Sequence, residues 1–179
     1  MLVCALLSSF LLAGNCPLPL PASTFATKCT GNSVKIGKQV FHDCPVNERP
    51  QRTIYKEIVQ LIELLRCDVS DHVRITSGYR SKTHNDYSWA FVVANGGARE
   101  TVSLTSKHMT GRAVDFYIDN FSYEQHLTIE KKLHKWIGHL DKPLRGSLNK
   151  IWTKVYRKNE GRDPDNLHEM PYIHVEWRL

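Results

Sequence analysis

The sequence S-K-H-M-T-G-R-A-V-D-F-Y-I, residues 106–118, predicts a turn that leads into a β-strand. Side chains alternate across a strand, so the strand has an apolar face and a second face. The apolar face consists of Val114, Phe116 and Ile118. Asp115 lies on the second face, where the small Ala113 leaves room beside its carboxylate. Because His108 precedes the turn at Gly111, the stretch offers a histidine and a carboxylate on either side of one turn.

The C-terminal stretch 172–177 has the same two-faced pattern. Its core face consists of Ile173, Val175 and Trp177. Its other face consists of Tyr172, His174 and Glu176. A strand with one apolar side and one polar side packs on a core and presents its polar groups to a cleft.

His108, Asp115 and His174 together form a ligand set that suits zinc. Two neutral imidazoles and one carboxylate leave a fourth coordination position open for water. Zinc would lower the pKa of that water toward about 7 and make it a nucleophile. A carboxylate outside the ligand set must then accept a proton, and Glu176 and Glu169 are the nearby candidates.

At this point the motifs resemble those of the zinc D-Ala-D-Ala carboxypeptidase family, whose members cleave peptidoglycan peptides and share a fold with the Hedgehog signalling domain. The matching motifs are S-x-H-x-x-G-x-A-x-D at 106–115, H-V-E at 174–176 and S-G-Y-R-S at 77–81. The resemblance spans roughly residues 50–179 and implies that His108, Asp115 and His174 bind the zinc ion. It also implies that Arg80 holds a substrate carboxylate or carbonyl. Ser106 and Tyr172 are expected to line the same substrate cleft.

The proton-accepting carboxylate is where this chain departs from the family pattern. Many members have an acid three residues before the last histidine, where this chain has Pro171. Strand geometry favours Glu176 as the catalytic base, and Glu169 in the preceding loop is the alternative. Glu176 could instead orient a metal ligand from outside the coordination shell.

The resemblance implies a zinc metallopeptidase that hydrolyses peptide bonds in peptidoglycan stem peptides. D,D- and L,D-cleavage both stay open, as do carboxypeptidase and endopeptidase action. A second hypothesis is a non-catalytic, Hedgehog-like zinc module that binds cell-wall peptide or a protein partner. The missing acid at position 171 keeps that second hypothesis open.

The pattern of apolar residues predicts an α+β domain with a small antiparallel sheet flanked by helices. Apolar residues at helical spacing indicate helices over 51–67 and 122–140, the second beginning with a capping box. We expect strands at 73–76, 113–118, 151–157 and 171–177, and a short hairpin around 34–41. Irregular helix and strand order favours α+β over a doubly wound sheet. Residues 82–104 are expected to form a long connection, either a surface loop or a hairpin, that builds one wall of the cleft.

The first 26 residues are expected to be a signal peptide or lipoprotein leader, followed by an irregular segment at 27–50 and the peptidase-like domain at 51–179. Thr24-Phe25-Ala26 offers a signal-peptidase site, whereas Cys16 would be acylated on the lipoprotein route. Cys29 and Cys44 form a plausible disulfide of an exported protein, which leaves Cys67 as a buried apolar residue within a helix.

Composition narrows the classes of partner. The chain has a formal net charge of +6, spread along its length, which favours a polyanionic environment such as cell wall or anionic lipid. No basic and aromatic recognition motif stands out, so we expect no nucleic-acid partner. We expect a periplasmic or cell-surface monomer that contacts a membrane only through a lipid anchor at Cys16. His126, like other histidines outside the motifs, is expected to be structural or solvated.

Overall fold

A four-stranded antiparallel sheet carries the candidate site. The computed structural model describes residues 17–45, 54, 56–69, 72–139, 151–158, 160 and 170–177 of the chain. In chain order the strands and helices are β1 (Ser33–Ile36), β2 (Gln39–His42), α1 (Lys56–Asp68), β3 (Val73–Ser77), α2 (Lys82–Ala94), β4 (Ala113–Ile118), α3 (Tyr123–His139), β5 (Ile151–Tyr156) and β6 (Tyr172–Trp177). The large sheet has the order β3-β4-β6-β5, and β1 and β2 form a separate hairpin. This arrangement confirms the predicted α+β class.

The hydrophobic core lies between the apolar face of the large sheet and helices α1 and α3. Strand β4 contributes Val114, Phe116 and Ile118, all fully buried, as its alternating pattern predicted. Helix α1 contributes Ile58, Leu61, Ile62 and Leu65, and helix α3 contributes Ile129, Leu133 and Ile137. Burying these side chains holds the opposite face of β4 and β6 in a fixed position.

Helix α3 begins as the sequence predicted. The Ser122 hydroxyl accepts a hydrogen bond from the Gln125 backbone N–H at 3.3 Å, and the Gln125 side chain accepts one from the Ser122 N–H at 2.8 Å. This reciprocal pair is a capping box, which satisfies two donors that a helix start would otherwise leave unpaired.

The prediction of a surface loop or hairpin over residues 82–104 was wrong for its first half. Residues Lys82–Ala94 form helix α2, which begins where the Ser81 hydroxyl accepts a hydrogen bond from the His84 N–H at 3.1 Å. The buried side of this helix includes the polar residues His84, Asn85 and Ser88. Because polar residues occupy part of the buried side, the sequence of this helix lacks a clear amphipathic pattern. The helix packs against the β1–β2 hairpin.

The segment before the hairpin packs into the domain. Phe25 belongs to the hydrophobic core, and Ala26 forms an isolated parallel bridge with Tyr79. The approach is so close that a Cβ atom at Gly78 would overlap the backbone carbonyl of Phe25. Cleavage after Ala26, and the domain boundaries drawn from it, stay predictions.

The three cysteines among the described residues are all disulfide-bonded. Cys29 and Cys44 are joined to each other, which confirms the predicted pairing and links the chain on either side of the β1–β2 hairpin. Cys67 is also disulfide-bonded, so its interpretation as a reduced apolar residue was wrong. The partner of Cys67 lies outside the described residues, as does Cys16, the predicted acylation site. Within the described ranges, no helix is long and apolar enough to cross a membrane.

Candidate metal centre

Strand pairing places the ligands of strands β4 and β6 side by side. Asp115 lies directly opposite His174, and Ala113 lies opposite Glu176. Residues that face each other on antiparallel strands project on the same side of the sheet. The register therefore puts the carboxylate, the imidazole and Glu176 on one face, as the alternation in each strand predicted.

His108 reaches the same place from a one-turn 3₁₀ helix, Lys107–Thr110, that precedes β4. The Ser106 hydroxyl caps this turn by accepting a hydrogen bond from the His108 N–H at 3.3 Å. Gly111 ends it in the left-handed conformation with a φ of 70°, which glycine adopts without steric cost. The S-x-H-x-x-G motif is therefore a capped turn that aims His108 at the strand that follows.

The side chains of His108, Asp115 and His174 meet in a tight cluster. The His174 Nδ1 atom lies 2.6 Å from Asp115 Oδ1, and the His108 Nε2 atom lies 3.5 Å from Asp115 Oδ2. The candidate ligand atoms of all three residues lie within 4.8 Å of one another. His108 and Asp115 are buried, and His174 is partly buried.

Hydrogen bonds fix the orientation of the His108 ring. Its Nδ1 atom lies 2.8 Å from the Gly78 carbonyl oxygen, to which it donates. With Nδ1 engaged by a backbone carbonyl, Nε2 carries the lone pair and faces Asp115. A metal-ligating histidine uses the same arrangement, because an acceptor bonded to the other ring nitrogen holds the tautomer and the ring.

The pKa values of the two histidines move in opposite directions. Burial lowers the pKa of His108 to about 4, so its imidazole is neutral at physiological pH and able to donate a lone pair. Burial also disfavours a charged His174, but Asp115 and Glu176 outweigh that effect and raise its pKa to about 9. A metal ion bound here would displace the proton that His174 shares with Asp115.

This donor set fits zinc. Two imidazoles and a carboxylate have their candidate ligand atoms within 4.8 Å of one another, and one imidazole is held by a backbone carbonyl. The cluster opens onto a cavity of about 590 Å³, which leaves room for water and substrate beside the ligands. Bound zinc would supply a Lewis acid that activates water near neutral pH.

Arg80, Ser106 and Tyr172, the predicted substrate-binding residues, all line this cavity. Arg80 is only 2% exposed, and its guanidinium donates a hydrogen bond to the Ser77 hydroxyl at 3.0 Å. The Tyr172 ring stacks on Tyr156 with ring centres 4.8 Å apart. The structure thus brings the three together, and their roles toward a substrate stay predictions.

Of the two candidates for the catalytic base, Glu176 is among the residues that the structure describes. Glu176 lines the cavity, and its Oε2 atom lies 3.4 Å from the His174 Nε2 atom. Glu169 lies outside the described residues. Glu176 is therefore the candidate that stands beside the ligand cluster in the described part of the chain.

Strand β5 supplies two cavity residues, Lys154 and Tyr156, that the sequence analysis missed, beside Trp152, which was expected in the core or in the cleft wall. Trp152, Lys154 and Tyr156 line the cavity together with Glu160 just beyond the strand. Burial, followed by Asp115, Glu160 and Glu176, raises the pKa of Tyr156 to about 12, so its hydroxyl stays protonated. Alternation in the I-W-T-K-V-Y sequence was a usable signal, but the pairing of β5 with β6 was needed to assign its face.

Thr27 is a further residue that the sequence analysis missed. Its hydroxyl accepts a hydrogen bond from the Gly78 N–H at 3.0 Å and lies 3.2 Å from the Ser77 hydroxyl. Both neighbours contact His108, through the Gly78 carbonyl and the Ser77 hydroxyl. Thr27 therefore supports a candidate ligand from a distant part of the sequence, and no local motif marks it.

Comparison with known proteins supports the resemblance to zinc D-Ala-D-Ala carboxypeptidases. The family model described as Peptidase M15 matches residues 37–140, more than half of the chain. The matched region contains Arg80, His108 and Asp115, whereas His174 and Glu176 lie beyond it. No curated protein and no solved structure matches the chain. The chain belongs to the peptidase M15 family, a family of zinc-dependent peptidases.

Proposed function

We propose that this M15 peptidase hydrolyses peptide bonds in the stem peptides of peptidoglycan. The observation that carries the proposal is the placement of His108, Asp115 and His174 at a cavity that also contains Glu176 and Arg80. A ligand cluster beside a carboxylate and a cation offers a place for metal, water and substrate within one cleft. The known members of the family that the motifs resemble act on this class of substrate.

Glu176 is the proposed catalytic base. Its carboxylate would take a proton from the attacking water and then deliver it to the nitrogen of the leaving group. The side chain suits this task because it lines the cavity and is 18% exposed, so it contacts both the ligand cluster and solvent. Its Oε2 atom lies 3.4 Å from the His174 Nε2 atom, which keeps the carboxylate next to a proposed metal ligand.

Arg80 is proposed to hold a substrate oxygen near the metal ligands. A guanidinium stays charged in the protein interior and offers several donors in a fixed plane. The hydrogen bond to Ser77 fixes one end of that plane, and the Arg80 backbone N–H donates to the His108 carbonyl at 3.1 Å. The residue is thereby tied to the same turn that positions His108.

We also propose that the protein works in an exported, oxidising compartment. The Cys29–Cys44 disulfide and the disulfide at Cys67 support this location, because cytosolic thiols are kept reduced. Cleavage after Ala26 would remove Phe25, which contributes to the core, whereas processing farther upstream would keep it. Mass spectrometry of the exported protein would give the mature N-terminus and decide between these positions.

The activity is tested with purified, zinc-loaded protein and muropeptides that carry tetrapeptide and pentapeptide stems. We expect shortened stem peptides, detected by chromatography and mass spectrometry. Glu176→Gln should retain zinc and lose about 10²–10⁴-fold in rate, the usual contribution of a general base. Lack of any product from wild-type protein with bound zinc would contradict the peptidase proposal.

The second candidate function is a non-catalytic zinc module that binds cell-wall peptide. Pro171, at the position where many relatives have the acid, favours this alternative. In that case Glu176 would serve only to orient His174, and the wild-type protein would bind stem peptide without shortening it. The same incubation therefore separates the two candidates.

A further inference from the structure

Strand β5 presents three side chains to the face of the sheet that carries the metal ligands. Pairing with β6 places Trp152 opposite Glu176, Lys154 opposite His174 and Tyr156 opposite Tyr172. Directly opposed residues project on the same side of the sheet. Lys154 is therefore a cation one strand away from His174, and it lines the same cavity.

Contacts around Lys154 hold its ammonium group in a defined place. The Nζ atom lies 4.2 Å from the centre of the Tyr156 ring and 3.5 Å from the Glu160 Oε1 atom. Tyr156 is itself fixed by parallel stacking on Tyr172. The other oxygen of Glu160 accepts a hydrogen bond from the Arg157 N–H at 2.8 Å, which anchors that carboxylate to the backbone.

Lys154 and Arg80 differ in access. The Lys154 side chain is 43% exposed, whereas Arg80 is 2% exposed and bonded to Ser77. An incoming anion can therefore reach the ammonium of Lys154 without displacing the packing beneath the metal ligands. The ammonium already has one carboxylate partner, that of Glu160 at 3.5 Å, so a substrate carboxylate would bind beside Glu160 or in its place.

We propose that Lys154 is a specificity-determining residue that binds the free C-terminal carboxylate of the substrate. This inference rests on the proposed function and deepens it, because it makes the protein a carboxypeptidase rather than an endopeptidase. A peptide that ends one residue beyond the scissile bond places its carboxylate close to the metal ligands, in the cavity that Lys154 also lines. A peptide cleaved in its interior has an uncharged amide at that position and gains nothing from the lysine.

The test compares two probes that differ only at the C-terminus, diacetyl-L-Lys-D-Ala-D-Ala and its C-terminal amide. With zinc-loaded enzyme, Lys154→Gln should raise KM for the free acid about 10-fold, a typical loss for a hydrogen bond to a charged group. We expect kcat for the acid, and both constants for the amide, to change less than about 2-fold, since the lysine contacts the carboxylate alone. Lys154→Arg should restore most of the affinity for the acid because the positive charge is retained.

Two control variants have the same change of charge. Lys135→Gln removes a lysine from the exposed surface of α3 and should leave the preference for the acid unchanged. Lys107→Gln removes a second lysine that lines the cavity. An equal loss for acid and amide in Lys154→Gln, or a loss of acid preference in Lys107→Gln alone, would overturn the role of Lys154.

Failure of the inference can be distinguished from failure of the proposed function. If zinc-loaded wild type cleaves neither probe nor muropeptide, the peptidase proposal fails. Calorimetric binding of the two probes to the same protein then still tests Lys154. A preference for the acid that disappears in Lys154→Gln supports the carboxylate site, and equal binding of acid and amide by wild type overturns it.

Discussion

Two buried histidine–aspartate clusters in this protein contain similar residues but differ in their surroundings. In one, His174 contacts Asp115 at 2.6 Å, and in the other His84 contacts Asp43 at 2.6 Å. The first opens onto the cavity. The second is enclosed, with His84 and Asp43 almost fully buried beside the Cys29–Cys44 disulfide. The distance between imidazole nitrogen and carboxylate oxygen is therefore the same in both clusters, and their access to the cavity differs.

The two aspartates also differ in their hydrogen-bond partners. The Asp43 oxygens accept from His84, from the Cys44 N–H, and from both the N–H and the hydroxyl of Thr30. A carboxylate that is bonded in this way fastens the hairpin to helix α2, and both nearby sulfur atoms are held in a disulfide. Asp115 instead faces two imidazoles beside open space, an arrangement that a metal ion can enter.

The largest effect on stability is expected at the enclosed cluster. His84→Ala would leave the buried Asp43 carboxylate without the imidazole that contacts it at 2.6 Å, and losing such a partner costs about 1–3 kcal/mol in the free energy of unfolding. Urea unfolding of the zinc-loaded protein measures this loss, and His42→Ala, at an exposed position of β2, is the matched control. The variant should keep its full zinc content. Loss of zinc from folded His84→Ala protein would contradict the comparison, because it would show that the enclosed cluster also binds metal.

A smaller effect is expected from the support beneath the open cluster. Thr27→Val keeps the side-chain shape and removes the hydroxyl that binds Gly78 and Ser77, so the His108 ring loses part of its support. We expect zinc affinity to fall about 10-fold, the lower end of the usual range for outer-shell partners. Competition with a fluorescent chelator measures the affinity. Thr27→Ser should bind like wild type, and an unchanged affinity in Thr27→Val would show that the hydroxyl has no influence on the metal.

The smallest effect concerns His126, a third buried histidine that lies outside both clusters. Its Nε2 atom accepts a hydrogen bond from the Ile118 N–H at 3.2 Å, and its Nδ1 atom donates to the Ser122 carbonyl at 2.8 Å. Burial lowers the pKa of His126 in the folded protein. The unfolded chain therefore takes up this proton first as the pH falls, and the folded state loses stability below about pH 6.5.

One such proton changes the unfolding free energy by at most about 1.4 kcal/mol per pH unit. Urea unfolding of wild type and His126→Gln at pH 7.5 and 5.5 measures the effect. We expect the wild type to lose more stability than the variant over this interval. If wild type and variant lose the same amount of stability over this interval, preferential protonation of His126 in the unfolded chain does not contribute to the loss.

Much of the fold and the clustering of the candidate ligands could be predicted because the controlling interactions are local. The alternation in 113–118 and 172–177 decided which side chains face the core, and the turn before β4 depends on residues within a short stretch. Helix α3 was predictable for the same reason, since its capping box lies within its first residues.

The rest depended on packing between distant segments. Helix α2 was missed because its buried side includes His84, Asn85 and Ser88, which find polar partners only in the folded chain. Thr27 and Lys154 were missed because each reaches the site through a long-range pairing, Thr27 with Gly78 and Lys154 with His174. Neither pairing leaves a periodic signal in the sequence.

The central claim is that His108, Asp115 and His174 hold one zinc ion while the enclosed cluster holds none. The most direct test is the zinc content of purified protein, measured by mass spectrometry after dialysis against metal-free buffer. We predict one zinc per chain for wild type and for His42→Ala, and close to none for His108→Ala. An unchanged zinc content in folded His108→Ala would contradict the account.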